Sequence, residues 1–122
     1  AKFDDVMNFL PSRISGILMV LAAPLVKLDG KNAWKIFKRD RLCHASPNSA
    51  QTESVMAGAL QVQLAGDAWY FGKKHEKPTI GDPIRPVEIA DIARANRLLY
   101  AASALGMIVF NGIKIILLLL LL

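Results

Sequence analysis

The chain has 122 residues, enough for one domain, and 53% of them are hydrophobic, which is high for a small soluble domain that must cover itself with polar surface. The mean hydropathy is positive, +0.34, so membrane association is the first possibility that the composition raises. The net charge of +5 does not predict nucleic-acid binding, because acidic and basic residues are interspersed and no DNA- or RNA-binding signature occurs.

One cysteine and two histidines limit the covalent and metal chemistry. Cys43 has no partner for an intrachain disulfide, and with His44 and His75 it gives no zinc-ligand spacing. No basic stretch precedes an apolar run with a cleavage site, so no signal peptide is predicted. Because the chain opens with Ala1 and a conspicuous motif follows at once, we expect a fragment or a processed product of a longer protein.

The first apolar run covers residues 14–26 and contains Gly16 and Pro24. It is shorter than the roughly 20 residues that cross a bilayer. We therefore predict a short apolar helix, re-entrant, interfacial or buried in protein, and kinked near Pro24. A backward extension through Phe9 would allow a tilted span, but Pro11 argues against a straight one.

A polar region follows over residues 27–97, with 12 Lys and Arg against 8 Asp and Glu. This excess of positive charge favours the cytoplasmic side, although the region is longer than the loops for which the rule is reliable. Residues 31–42 look helical, with Trp34 and Phe37 on one stripe and basic residues opposite. Such a helix suits the lipid headgroup layer, and equally suits a solvated surface over a protein core.

The rest of the polar region contains signals for one helix and one hairpin. Ser46 before Pro47 predicts a helix start, and that helix would reach about Leu64 and end at Gly66. The aromatic and charged residues of 68–77 predict a short hairpin or extended loop.

The second apolar run, residues 98–122, carries one charge, Lys114, and follows Arg94 and Arg97. Its 25 residues predict a transmembrane helix, with the lysine able to reach the membrane surface. The helix is expected to open at Pro86. The predicted fold class is therefore all-α: an integral-membrane helical protein with a polar loop or hairpin insertion.

Ionisable and hydrogen-bonding residues cluster beside the apolar segments, in residues 4–13, 39–41 and 44–53. Because such residues are costly near membrane depth and are usually functional there, the three clusters predict one polar site. No glycine-rich nucleotide-binding loop is present, and no catalytic triad can be assigned from spacing.

These clusters also carry a resemblance. Residues 4–13 read DDVMNFLPSR and resemble the DD-x-x-N-x-x-P-x-R element of the CobD/CbiB family of adenosylcobinamide-phosphate synthases, and residues 46–60 resemble its SPN-x-x-x-x-E-x-x-x-AGAL signature. Residues 63–72 and 77–82 resemble its glycine-aromatic and KP-x-IGD elements. The resemblance reaches about Met107 and covers the C-terminal portion of a family member, so residues 1–122 are read as that portion of a single membrane-enzyme domain. Ala50-Gln51-Thr52 stands where some members have Gly-Trp-Pro, which affects the shape of the loop.

The resemblance implies cobalamin biosynthesis in the cytoplasmic membrane. The implied reaction is the ATP-dependent amide ligation of adenosylcobyric acid, a corrinoid, with (R)-1-aminopropan-2-ol or its O-phosphate. ATP and Mg²⁺ are the implied cofactors, membrane lipid is an expected partner, and a homo-oligomer is possible. The alternative is a non-enzymatic membrane signalling or assembly protein on a related helical scaffold.

Arginine and aspartate are the candidates for handling charge in this reaction. Arg13 and Arg39 are predicted to bind carboxylate or phosphate through the guanidinium fork. Arg39 equally suits an ion pair with a neighbouring aspartate. Asp4 and Asp5 are predicted to hold Mg²⁺, and otherwise serve as acidic residues at a helix start.

The remaining candidates lie in or near the central motif. His44 is a candidate base or phosphate ligand, or an ordinary loop histidine. Glu53 is expected to orient the amine or a metal, unless it is simply solvated. The predicted substrate-binding residues are those with hydrogen-bonding or aromatic side chains: Asn8, Ser46, Asn48, Tyr70 and Asp82. Helix capping is the alternative for Ser46 and Asn48, membrane anchoring for Tyr70, and turn formation for Asp82.

Overall fold

The structure of the protein, a computed structural model, describes residues 2–43, 47–66, 68–75 and 78–122, with the backbone alone for 68–70 and 74–75. The described part is mostly helical, in agreement with the predicted class, but it also contains four short strands. In chain order the elements are α1 (Lys2–Ala22), a 3-10 helix (Ala23–Val26), α2 (Gly30–Asp40), α3 (Ser49–Leu60), β1 (Leu64–Ala65), β2 (Ala68–Tyr70), β3 (Lys73–His75), β4 (Thr79–Ile80) and α4 (Ala90–Leu121).

Helix α1 is longer than the apolar run from which a short helix was predicted. It begins at Lys2 and continues through Pro11 to Ala22, so residues 14–26 form its second half and the 3-10 helix. Proline removes one helical hydrogen bond, but this stretch of α1 is also held by side-chain contacts with Asn48. The α-helical geometry ends just before Pro24, where a kink was expected.

Helices α2 and α3 pack against α1 and the start of α4. Alanine is the commonest residue of the core, so the helix axes approach closely. Gly58 of α3 lies against the backbone of Asn32 and Ala33 in α2, an approach that the absence of a side chain at Gly58 allows. The main core residues are Met19, Ala22, Ala23, Ala33, Phe37, Val55, Ala59, Leu98 and Ala102.

Helix α2 is capped by Asp29, the residue before its start, whose carboxylate accepts a hydrogen bond from the backbone N–H of Asn32. The predicted limits of α3 were wrong: it begins at Ser49, with Asn48 in the capping position, and ends at Leu60. Gln61 takes a left-handed conformation, and the N–H of the next residue bonds back to Ala57, which closes the helix four residues before the predicted end.

Two small antiparallel sheets form the insertion. The predicted hairpin is confirmed, with β2 paired to β3 and Tyr70 opposite Lys73. Its two turn residues, Phe71 and Gly72, both have positive φ, as in a type I′ turn. The pairing of β1 with β4, Leu64 opposite Ile80, encloses the hairpin and was not predicted.

Helix α4 begins at Ala90, four residues after the predicted start at Pro86, and runs antiparallel to α1. Leu98 packs in one core cluster with Ala22, and further along Gly106 faces Leu18. Within α4, only four residues are buried, Asp91, Leu98, Ala102 and Gly106, and the residues after Gly106 leave a long apolar surface exposed. Two helical stretches, Lys2–Val26 and Ala90–Leu121, are long and apolar enough to cross a membrane.

Candidate functional site

A cavity of about 420 Å³ lies between α1 and the start of α3, and we call it the polar cavity. Helical spacing brings one face of α1 to this cavity, because residues three and four apart share a face. Three of the predicted site residues on α1, Asp4, Asp5 and Asn8, therefore meet Asn48 at the start of α3, although at least 40 positions separate them. The lining residues are Asp4, Asp5, Asn8, Pro11, Ser12, Ser15, Asn48, Ser49 and Thr52.

Asn48 joins the two sides of the polar cavity. Its Nδ2 donates to the backbone oxygen of Asp5 at 2.9 Å, and its Oδ1 accepts from Ser12 Oγ at 3.3 Å and Arg13 Nη1 at 3.2 Å. The Asn48 side chain is not the hydrogen-bonded cap of α3. It fixes the distance between α1 and α3 instead.

Arg13 stands behind this lining and is positioned by its own helix. Its Nη1 also donates to the carbonyl of Phe9 at 2.8 Å, and its guanidinium lies 3.5 Å from the centre of the Phe9 ring. A cation over an aromatic face is attracted to the ring electrons. These contacts hold the guanidinium beside Asn48, next to the residues that line the polar cavity.

Arg39 and Asp82 form a second cluster, which is built around Asp40. Arg39 contacts both oxygens of the buried Asp40 carboxylate, through Nε at 2.9 Å and Nη2 at 2.8 Å, and its Nη1 lies 3.0 Å from Asp82. The Arg39 guanidinium holds the pKa of the Asp40 carboxyl below its usual value, while burial opposes this shift and the N–H of Gly81 supports it. Arg39 thus has the ion pair that the alternative interpretation described, and Asp82 is its second partner.

The other predicted site residues are only partly described. Glu53 is half-buried on α3 and is not among the residues that line the polar cavity. His44, Ser46 and the side chain of Tyr70 lie outside the described residues. Within the described ranges, no three His, Cys, Asp or Glu side chains come together as a metal site.

Sequence reasoning did not find several polar residues that the structure buries. Gln51 is fully buried and donates to the carbonyls of Arg41 and Pro47, which ties α3 to the end of α2. Asp91 is buried beneath Arg85 and Arg94 and accepts hydrogen bonds from both. An Arg-Asp spacing of six residues across a loop gives no recognisable pattern, so the sequence offered no signal for this cluster.

An apolar groove of about 610 Å³ adjoins the polar cavity between α1 and α4. Ser15 and Thr52 line both spaces, so the hydrogen-bonding surface passes directly into the apolar one. Leu18 and Met19 form the α1 wall of the groove. The α4 wall is formed by Leu99, Ala102, Ser103, Gly106, Met107, Phe110 and Asn111.

Fold and site together define a class: a mostly helical protein with two helices long enough to cross a bilayer and a polar cavity between packed helices. The family model for CobD/Cbib protein matches residues 1–99. The chain belongs to the CobD/CbiB family.

The similar proteins are bacterial. The chain is 48% identical over 117 residues to cobalamin biosynthesis protein CobD of Clostridium perfringens, covering 96% of this chain and 37% of that protein. It is 46% identical over 114 residues to the CobD protein of Klebsiella pneumoniae, covering 93% and 36%. For the CobD protein of Geobacter metallireducens the identity is 50% over 105 residues, covering 86% and 33%. The chain thus spans about a third of the length of these relatives, in their C-terminal part, and no solved structure matches it.

Proposed function

We propose that this chain acts in cobalamin biosynthesis as the C-terminal portion of an integral-membrane amide ligase. The reaction joins a propionate carboxylate of adenosylcobyric acid to the amine of (R)-1-aminopropan-2-ol or its O-phosphate, with ATP as the energy source. The names of its relatives support the pathway, and the resemblance of its motifs supports the reaction.

One observation carries the proposal for the site. Two motifs that are far apart in the sequence, residues 4–13 and 46–60, supply the two walls of one polar cavity, and Asn48 bonds across it. Motifs that served only to stabilise their own helices would not be expected to line one open space with carboxylate, amide and hydroxyl groups. Their meeting supports a ligand site.

The residues of this cavity suit the charged groups of an amide ligation. The carboxylates of Asp4 and Asp5 would attract the ammonium group of an amino alcohol. Arg13, which stands beside Asn48 next to the cavity lining, would attract a carboxylate or phosphate. His44 and Glu53 remain the proposed groups for removing the proton from the amine and orienting it. Ser46 and Asn48 are proposed to bind substrate.

The donor set of the polar cavity also fits Mg²⁺, which takes one or two protein carboxylates and completes its shell with water or phosphate oxygens. Asp4 and Asp5 would hold the ion, which would neutralise phosphate charge when bound. Asn8 supports this role, because its Nδ2 donates to the Asp4 carbonyl and its Oδ1 is the atom available as an acceptor.

The apolar groove supports a corrinoid substrate. A corrin ring has broad apolar faces and amide and carboxylate groups at its edge, and the groove meets the polar cavity at Ser15 and Thr52. A ligand with one face in the groove would place its edge groups in the polar cavity. Tyr70 is proposed to pack on the same ring.

Helix α4 is proposed to span the cytoplasmic membrane, with the polar region on the cytoplasmic side. Its side chains after Gly106 are apolar and exposed, with the exception of Asn111 and Lys114. A helix with this surface needs lipid or protein around it over most of its length.

A chimera tests the function. In the Klebsiella pneumoniae relative, this chain replaces the matching 114 residues, and the chimera is expressed in a strain that lacks the relative. We expect restored cobalamin-dependent growth and restored conversion of cobyric acid in isolated membranes. A chimera that reaches the membrane at normal levels yet forms no amide product would contradict the ligase proposal and favour the non-enzymatic alternative.

Site variants of the chimera test the polar cavity separately. Asn48→Ala and Asp5→Asn are each expected to lower product formation about tenfold or more, because the first removes the amide that joins the cavity walls and the second removes a negative charge. Lys35→Gln, on an exposed position of α2 away from the cavity, is the matched control and should keep full activity. Equal activity of all three variants would refute the site while leaving the function in place.

A further inference from the structure

A second cavity, of about 450 Å³, lies between the segment that follows α1, the end of α3 and the start of α4. We call it the basic cavity. It is lined by Lys27, which follows the 3-10 helix, by Arg85 in the loop before α4, and by Arg94 near the start of α4. Asp29 is the one carboxylate among the lining residues, and Gln61 at the end of α3 stands beside it. Three positively charged side chains against one carboxylate make the lining suitable for an anionic ligand.

The two arginines are held in place from behind. Arg85 makes a two-point ion pair with Asp91, and Arg94 Nη1 donates to Asp91 at 2.9 Å and to Glu88 at 3.1 Å. Asp91 is buried, so it fixes both guanidinium groups without facing the ligand itself. Within the described part of the chain, the contacts of Arg94 all pass through Nη1, which leaves its Nε and Nη2 edge for a further acceptor.

The single carboxylate of the lining is already engaged in the fold. Asp29 accepts from the N–H of Asn32 at 2.9 Å and from Gln61 Nε2 at 2.8 Å, and these bonds lower the pKa of its carboxyl. Its charge is therefore partly balanced by the α2 N-terminus. Lys27, in contrast, is exposed, and its backbone has a left-handed conformation with φ 62°.

We propose that the basic cavity binds a phosphate group. The Nε and Nη2 edge of Arg94 matches two phosphate oxygens, and Arg85, whose own fork is taken by Asp91, adds positive charge beside it. Asp91 holds both guanidinium groups before any ligand arrives, so little side-chain entropy is lost on binding. The phosphate belongs either to an anionic lipid headgroup or to a soluble phosphate compound. Lys27 directly follows the first apolar stretch and Arg94 precedes the apolar part of α4, the level at which lipid phosphates lie if these helices enter a membrane.

The test is a binding experiment on the whole 122-residue chain in detergent, which requires no enzymatic turnover. The probes are dioctanoyl phosphatidylglycerol, dioctanoyl phosphatidylcholine and inorganic phosphate, and the readout is the shift of the unfolding midpoint with probe concentration. We expect saturable stabilisation by phosphatidylglycerol or by inorganic phosphate, weakened when NaCl is raised. Stabilisation by phosphatidylglycerol alone identifies the lipid source, and stabilisation by inorganic phosphate identifies the soluble one.

Substitutions locate the site. Lys27→Gln should raise the dissociation constant about fivefold and Arg94→Lys about tenfold, because the second keeps the charge but loses the fork. Lys35→Gln, an exposed lysine outside the cavity, should leave binding unchanged. If Arg94→Lys fails to fold, Lys27→Gln still decides, since it removes an exposed charge. No binding by any probe, or equal weakening by Lys27→Gln and Lys35→Gln, would overturn the proposal.

Discussion

At Gly58 the backbones of α2 and α3 are in direct contact. A Cβ atom at this position would lie 2.6 Å from the carbonyl oxygen of Asn32 and 2.7 Å from the Cα of Ala33. Neither atom belongs to a flexible side chain, so the helices themselves would have to separate. The close packing of α2 and α3 therefore depends on the absence of a side chain at Gly58.

Gly58→Ala is accordingly expected to lower the free energy of unfolding by about 1–3 kcal/mol, the usual range for overpacking. The measurement is denaturant unfolding in detergent, followed by circular dichroism. Gly112→Ala is the matched control, because a Cβ there meets no atom within 4 Å and alanine favours the helix. A loss of stability in Gly112→Ala as large as in Gly58→Ala would contradict the contact argument.

Phe71 presents the opposite case, a large residue in a conformation that suits a small one. It is fully exposed at the tip of the hairpin, with φ 52°. We expect Phe71→Asn to raise the free energy of unfolding by about 1 kcal/mol, because Asn-Gly is the favoured pair for this turn. Thermal unfolding measures the change, and Phe71→Leu, which keeps the unfavourable conformation, should gain nothing.

At the scale of elements, the buried carboxylate of Asp40 joins the end of α2 to the segment after β4. It accepts from Arg39 and from the N–H of Gly81 at 2.8 Å. The pKa of Asp40 is lower in the folded chain than in the unfolded chain. The stability it contributes is therefore present above the unfolded pKa, near 3.9, and is lost as the pH falls through the folded pKa.

Comparison of the wild type with Asp40→Asn isolates this contribution. At pH 6 the variant should be less stable by about 2 kcal/mol, and the difference should shrink steadily as the pH falls below about 4. Urea unfolding between pH 6 and pH 2.5 gives both curves, and the contribution of Asp29 cancels between them. Asp82→Asn should cost less, because Asp82 is partly exposed. A difference that does not depend on pH would show that the Asp40 charge is unimportant.

Sequence patterns predicted the elements better than their limits. The hairpin and the long last helix were predicted from aromatic and apolar runs, and both exist. The end of α3 was missed because it depends on Gln61 in a left-handed conformation, and glutamine gives no local signal for that. The motif residues Asp4 and Asn48 were predicted to share a site, and they line one cavity. Arg39 carried the same signal, yet its ion pair with Asp82 depends on a contact over 43 positions that composition cannot reveal.

At the scale of the whole molecule, the main question is how the exposed apolar surface of α4 is covered. If α4 spans the bilayer, the chain should remain in membranes after extraction with high salt and with alkaline carbonate. Ile108→Arg combined with Ile116→Arg should release a large fraction, since each arginine costs about 3 kcal/mol near the centre of a span. Ile84→Arg with Val87→Arg, at exposed positions before α4, is the control and should stay in the membrane. Release of the wild type by salt alone would indicate a peripheral protein.

Helix α1 and the 3-10 helix after it connect the polar cavity to the basic cavity. Asp4 in the polar cavity and Lys27 in the basic cavity lie at opposite ends of the same helical segment, about 35 Å apart at 1.5 Å per residue. Near its middle, Gly16 rests against the Phe37 ring with no room for a methyl group. A ligand at one end that moved α1 along its axis would therefore disturb this contact, and the energetic coupling between the two ends would be reciprocal.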